Sequence, residues 1–115
     1  MTNFLPKTPV PIQIRKIIFE SYNDVDAPFT NDGIFEILKR YGDLDPAWII
    51  DDIEPYINEI CDLGMARNIA QNFTTIWMKL FDVVEKHHCS ACGHDVFLGR
   101  SEDMTCPNPS CNIRL

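Results

Sequence analysis

The residues of this chain best equipped for chemistry crowd its last quarter, HHCSACGHDVFLGRSEDMTCPNPSC, from His87 to Cys111. Two cysteine pairs stand there, Cys89-x2-Cys92 and Cys106-x4-Cys111. A pair at such spacing fits on one tight turn and offers two thiolates to a single ion. Four thiolates at about 2.3 Å in a tetrahedron are what a structural zinc takes. Gly93 follows the first pair, where left-handed backbone lets amides turn toward the sulfurs. Pro107 and Pro109 stiffen the second turn. The second pair has four intervening residues where two are usual, and His87, His88 and His94 lie nearby. A histidine in place of one cysteine therefore stays open. Disulfides are the competing use of such cysteines, and they need an oxidising compartment. The opening residues lack the long apolar core of a secretory signal, and no run reaches the length of a membrane span. The expectation is a cytoplasmic protein in which Cys89, Cys92, Cys106 and Cys111 hold zinc.

Between the pairs, Val96-Phe97-Leu98 reads as a short strand, Gly99 to Asp103 as a turn, and Met104-Thr105 as the return. That makes residues 87–115 a zinc ribbon, joined to the rest by a linker at 83–86. A ribbon has almost no core of its own, so Phe97, Leu98 and Met104 should pack over the zinc turns or against the hairpin upstream. Zinc removal should then unfold residues 87–112 and leave the rest largely intact. Four cysteines close the metal's shell. The chain has no phosphate-binding glycine loop, no paired motif for a nucleophile and its base, and no open metal position, so the expectation is a protein that is not an enzyme.

The elements that must carry this module lie upstream. Residues 1–11 hold three prolines and read as an extended lead-in. Ile12 to Tyr22 is helical in period, with Ile14, Ile17, Ile18 and Tyr22 on one face and Arg15, Lys16 and Glu20 outside. A turn-rich link follows. The next helix is capped by Thr30 or Asn31, buries Ile34, Ile37, Leu38 and Tyr41, and ends at Gly42. Asp45-Pro46 starts a short helix to Asp52 that carries Trp48 and Ile49 inward. Pro55 then fits the first turn of a further helix with Ile53, Tyr56, Ile57, Ile60 and Cys61 on one stripe, closed by Gly64. Cys61, on that stripe, reads as core. Beyond Gly64 the period falls to two. Met65–Ala70 and Phe73–Phe81 read as a hairpin turning at Gln71-Asn72, with Thr74, Ile76, Met78 and Leu80 sharing a face. Trp48 and Trp77 read as core anchors.

Charge bounds the partners. The formal net charge is −7. Residues 1–82 carry seven basic and thirteen acidic side chains, and residues 83–115 carry three and four. From Asp45 to Leu63 there are six acidic residues and no lysine or arginine. The Pro55 helix exposes Glu54, Asn58, Glu59 and Asp62, a face that phosphates would repel. Basic candidates are Arg67 and Lys79 in the hairpin, Arg15-Lys16, and Arg100 at the ribbon tip.

The apolar stripe of Ile34–Tyr41, the short Pro46–Asp52 helix, the segment EPYINEICDLG from Glu54 to Gly64 and the hairpin after it resemble a winged helix-turn-helix domain over residues 31–82. The class is then α+β: three helices plus a β-hairpin wing, an extra N-terminal helix within residues 1–30, and the C-terminal zinc ribbon. The resemblance implies that the Glu54–Gly64 helix and the wing are the contact elements, and that the extra N-terminal helix either caps the core or pairs two subunits as a homodimer. A winged helix followed by a zinc ribbon is also similar in architecture to the alpha-type subunit of archaeal transcription factor E. That resemblance implies a transcription-associated adaptor that docks on protein partners of the transcription machinery. The alternative is a dimeric DNA-binding regulator whose contacts come from the wing, Arg15-Lys16 and the ribbon. A structural subunit of some other complex is the third class.

Overall fold

The computed structural model describes residues 9–24, 27–41, 46–72, 75–80, 83–100, 102–108 and 111–115. The lead-in up to Thr8, Gly42 as a helix end, Asp45 as a cap, the strand residues Phe73, Thr74 and Phe81, Pro109, and the Tyr41 side chain fall outside that description. The chain is α+β. In order come α1 (Val10–Ser21), β1 (Pro28–Thr30), α2 (Asn31–Tyr41), a single 3-10 turn (Ile50–Asp52), α3 (Glu54–Asp62), β2 (Ala66–Asn72), β3 (Thr75–Leu80), β4 (Val84–His88) and β5 (Asp95–Gly99). Two antiparallel sheets result, one ordered β1-β3-β2 and one pairing β4 with β5. No helix among the described residues is long and apolar enough to cross a membrane.

Helix α1 opens on two prolines, which suit a first turn whose amides have no intrahelical partner. Its burial is broader than one stripe predicts: Ile12, Gln13, Ile14, Arg15, Ile17 and Ile18 are all buried. Ile14, Ile17 and Ile18 join the main core with Ile34 and Leu38 of α2, Ile57 and Ile60 of α3, and Ile76, Met78 and Leu80 of β3. Ile12 sits instead in a second cluster with Cys89, Val96 and Cys106. A helix buried on two sides is a strut between layers. Arg15, expected outside, is only 3% exposed. The apolar face offered for subunit pairing is spent inside the chain.

The N-terminus of α2 is fixed by its own sequence. Thr30 accepts a hydrogen bond from the Gly33 amide (3.0 Å), the cap expected of a threonine there. Asn31 accepts from Ile76 of β3 (2.8 Å), tying the helix to the sheet. Strand β1 pairs with β3 through Phe29–Met78, and Phe29 is buried. The boundary expected between residues 30 and 31 therefore runs through one sheet, because burying Phe29 requires β1 to be part of it.

Three further expectations are corrected. Pro46–Asp52 is not a helix: residues 46–47 form a turn and only Ile50–Asp52 are helical, as one 3-10 turn. The Asp52 carboxylate accepts from the Ile49 amide (2.8 Å), closing the turn and leaving Ile49 exposed rather than inward. Trp48 is half-buried and stacks on Tyr56 at 6.3 Å, as an anchor should. Trp77 faces outward, since β3 buries Ile76, Met78 and Leu80 on the other side. Gln71 and Asn72 are not the turn but pair with Ile76 and Thr75, and a register shift between Asn68 and Ala70 leaves Ile69 exposed. Cys61 packs against the core, half-buried, and burial raises its thiol above the ordinary value.

The supposed linker is a strand. Val84, Glu85 and Lys86 pair with Gly99, Leu98 and Phe97. Asn23 bridges both backbone groups of Val84, accepting from its amide (2.7 Å) and donating to its carbonyl (3.0 Å). Val84 and Phe97 lie in the main core, and Phe19 of α1 meets Phe97 ring to ring at 5.1 Å. The ribbon hairpin is thus β4 with β5, while Met104-Thr105 returns to pair with the C-terminal residues through the bridge Thr105–Arg114.

Candidate metal centre

Two loops of one design hold the cysteines. In the first, the Cys89 amide donates to the His94 carbonyl (3.0 Å) and the Gly93 amide to the Cys89 carbonyl (2.8 Å). The loop springs from the ladder end His88–Asp95. In the second, the Cys106 amide donates to the Ile113 carbonyl (2.8 Å), and the loop springs from the Thr105–Arg114 bridge. Each loop places a left-handed residue directly after its second cysteine: Gly93 at φ 78° and Asn112 at φ 52°. In the second loop the Asn108 carbonyl accepts from the Cys111 and Asn112 amides. Asparagine tolerates that conformation and glycine adopts it freely. The x4 loop therefore keeps the frame of the x2 loop.

The loops face each other. Cys89 and Cys111 sulfurs stand 3.7 Å apart and Cys92 and Cys106 sulfurs 3.8 Å apart, so each close pair bridges the two loops. All four sulfurs lie within 4.8 Å of one another. A tetrahedron with metal–sulfur bonds of about 2.3 Å has edges of about 3.8 Å. The two close sulfur pairs match that figure, and all four cysteines are free.

Histidine substitution for a cysteine finds no support in the geometry. The ligand-capable group gathered here, among the described residues, is Cys89, Cys92, Cys106 and Cys111 alone. His88 turns to Asp95, with Nδ1 and Oδ1 3.0 Å apart, and that contact, with Lys86 beside it, holds the Asp95 carboxyl below its usual value.

Electrostatics divide the thiols. The Cys92 amide, aided by the Cys92 thiol and the Ala91 amide, brings Cys89 down to about 7 against the pull of burial. Burial pushes Cys106 up to about 12. Metal uptake must release the protons these thiols hold, so it weakens as pH falls. Cys89 and Cys106 are fully buried under Ile12 and Val96, which excludes water from one side of the cluster.

No family model, curated protein or solved structure matches this chain. The reading of the centre accordingly rests on its geometry, which is compatible with a bound metal ion.

The other candidate residues are dispersed. Asn58, Glu59 and Asp62 are exposed on α3, and Glu54 is half-buried at its first turn. Arg67 and Lys79 are direct partners across β2 and β3, beside exposed Trp77. Arg100 lies at the end of β5, 3.6 Å from Glu85.

One functional pair was missed in the sequence. Arg15 donates to the Phe97 carbonyl (2.8 Å) and to both carboxylate oxygens of Glu102 (2.9 and 2.7 Å), while Glu102 also accepts from the Gly99 amide (2.9 Å). This clamp fixes α1 to the chain leading into Cys106. Its signal was present: Ile12, Arg15 and Phe19 fall at i, i+3 and i+7, a second stripe on α1.

A point change tests the loop geometry. The Cβ that alanine would add at Gly93 meets nothing within 4 Å, so Gly93→Ala carries only the left-handed backbone penalty, about 1–2 kcal/mol. Thermal melts of the zinc-loaded variant should show a loss of that size. An unchanged melt would mean the φ 78° conformation is not held in solution.

Proposed function

We propose that this chain is a non-enzymatic, zinc-binding protein of winged helix-turn-helix and zinc-ribbon type, acting as a protein-binding adaptor in a transcription assembly. The observation that carries the adaptor reading is the exposed face of α3. It presents Asn58, Glu59 and Asp62, with Glu54 at its start, and residues 46–63 contain no lysine or arginine. A helix lying against DNA would bring those carboxylates to phosphate, where like charges repel. The same face suits a basic protein surface.

The winged-helix assignment is supported by three helices followed by a hairpin, with α1 rather than the Pro46–Asp52 segment as the first of the three. Zinc is supported by the all-thiolate donor set and by two sulfur spacings close to a tetrahedral edge. Four cysteine ligands would leave the ion no open position, which argues for a structural role. Zinc would fasten the two loops together. The chain's own residues, Ile12 and the Arg15–Glu102 clamp, attach that unit to the helices.

A second reading, a DNA-binding regulator, draws on Arg67 and Lys79 standing opposite each other beside Trp77 on the outer sheet face. One titration separates the two. Labelled random duplex DNA is titrated with zinc-loaded protein at low and then physiological salt, in parallel with crosslinking from an α3 position to purified RNA polymerase. The adaptor reading expects crosslinks and little anisotropy change. Tight DNA binding that weakens steeply with salt would replace it with the regulator.

A further inference from the structure

A cleft of 380 Å³ opens between the last turns of α3 and the second cysteine loop. Its walls include Glu59 and Leu63 on one side and Asp103, Thr105 and Pro107 on the other, with Arg15 and Glu102 also lining it. Arg15 and Glu102 neutralise each other through their two-pronged ion pair. Glu59 and Asp103 are exposed carboxylates from two different elements, and their side chains make no ion pair or hydrogen bond among the described residues. Leu63 is 50% exposed and offers the cleft an apolar wall. The concavity thus combines two unneutralised negative groups with an apolar surface, inside a chain of net charge −7.

That combination defines an occupant. A guanidinium or ammonium between Glu59 and Asp103 gains from both, while the methylene stem beneath it covers Leu63 and Pro107. The volume suits one or two side chains rather than a globular surface. An anionic ligand, phosphate included, would face two unpaired carboxylates, and the one cation lining the cleft among the described residues is already engaged by Glu102.

We propose that this cleft is a docking socket for an arginine- or lysine-bearing segment of a protein partner, its charged end held between Glu59 and Asp103 and its aliphatic part on Leu63. The inference rests on the adaptor reading and narrows it from a helix face to one cleft. One wall is the loop carrying Cys106 and Cys111, so the socket exists only while that loop is folded.

The probe is a short labelled peptide of alternating arginine and leucine, added to the zinc-loaded full chain while backbone amide shifts are followed. Shifts should centre on Glu59, Leu63, Asp103 and Thr105, and the double variant Glu59→Gln/Asp103→Asn should bind roughly tenfold more weakly. Both positions are exposed and both changes keep the side-chain shape, so the fold should be retained, and unchanged shifts elsewhere in the variant check this. Restored affinity at low salt in the wild type, and not in the variant, is a second expected sign. Shifts confined to Glu54, Asn58 and Asp62 would overturn the socket and leave the adaptor reading standing. Equal affinity of variant and wild type, or no binding at all, would overturn the socket too, whatever the polymerase crosslinking shows.

Discussion

Loading the four-cysteine cluster with zinc and then withdrawing the ion should loosen α1 and the helical core, not the ribbon alone. The ribbon was expected to unfold by itself, but the packing argues otherwise. Phe97 and Val84 belong to the main core, and Ile12 of α1 is buried against Cys89, Val96 and Cys106. Removing the ion leaves up to four thiolates in a small volume. They must repel, protonate or separate, and separation opens the ground under Ile12. Zinc holds small folded modules with about 10–16 kcal/mol, against a total stability of about 5–15 kcal/mol for a whole domain. Part of that energy must reach the helices wherever the two are packed as one body. Amide hydrogen exchange before and after chelation, under reducing conditions, reads the outcome. Protection should fall in Ile14–Ile18 as well as in Val84–His88 and Val96–Leu98, and Cys106→Ser should reproduce the pattern. Loss limited to the two cysteine loops, with α1 amides unchanged, would show the ribbon to be an independent module after all.

The centre was legible because its information is local. Cysteine type, spacing and a following left-handed residue are all contained within one loop, so Cys89, Cys92, Cys106 and Cys111 could be placed from the sequence. Helix α3 and the grouping of Ile76, Met78 and Leu80 on one face of β3 were legible for the same reason, as their apolar residues keep period 3.6 or 2, but which face of β3 turns inward was not. What failed were statements about which element meets which. Val84–His88 has no pattern that distinguishes strand from linker; it becomes a strand because β5 and the Asn23 side chain offer partners to its backbone. Trp77 read as core by its type because neither face of β3 is very polar, and the fold buries the face of Ile76, Met78 and Leu80 instead. Pro46–Asp52 had a good cap and first residue for a helix, but Asp52 folds back to the Ile49 amide and ends the segment at one turn. Arg15 was placed outside because charge usually marks a solvated face. Its partner lies 87 residues along the chain, so the second stripe on α1 could mark Arg15 as buried but could not name what it meets.

That distant pair yields the second large effect. Arg15 and Glu102 are 3% and 8% exposed, and between them they satisfy the Phe97 carbonyl and the Gly99 amide. Removing one member of a buried pair leaves the other charged and unpaired, which costs about 3–5 kcal/mol. Arg15→Met should therefore destabilise the zinc-loaded protein by that amount, a large fraction of its stability. Glu102→Gln keeps an acceptor for Arg15 and for the Gly99 amide, so its effect should be the smaller. The double change Arg15→Met/Glu102→Leu removes both charges together and should recover part of the loss. Recovery stays incomplete, because the Gly99 amide loses its acceptor and the Phe97 carbonyl one of its donors. Urea unfolding of the wild type, Arg15→Met, Glu102→Leu and the double variant gives the coupling directly. Additive single and double effects would mean that the two side chains do not meet in solution. Strong coupling would establish the clamp as one of the contacts that join the cysteine-bearing part of the chain to its helices, beside Ile12 and the Phe19–Phe97 pair.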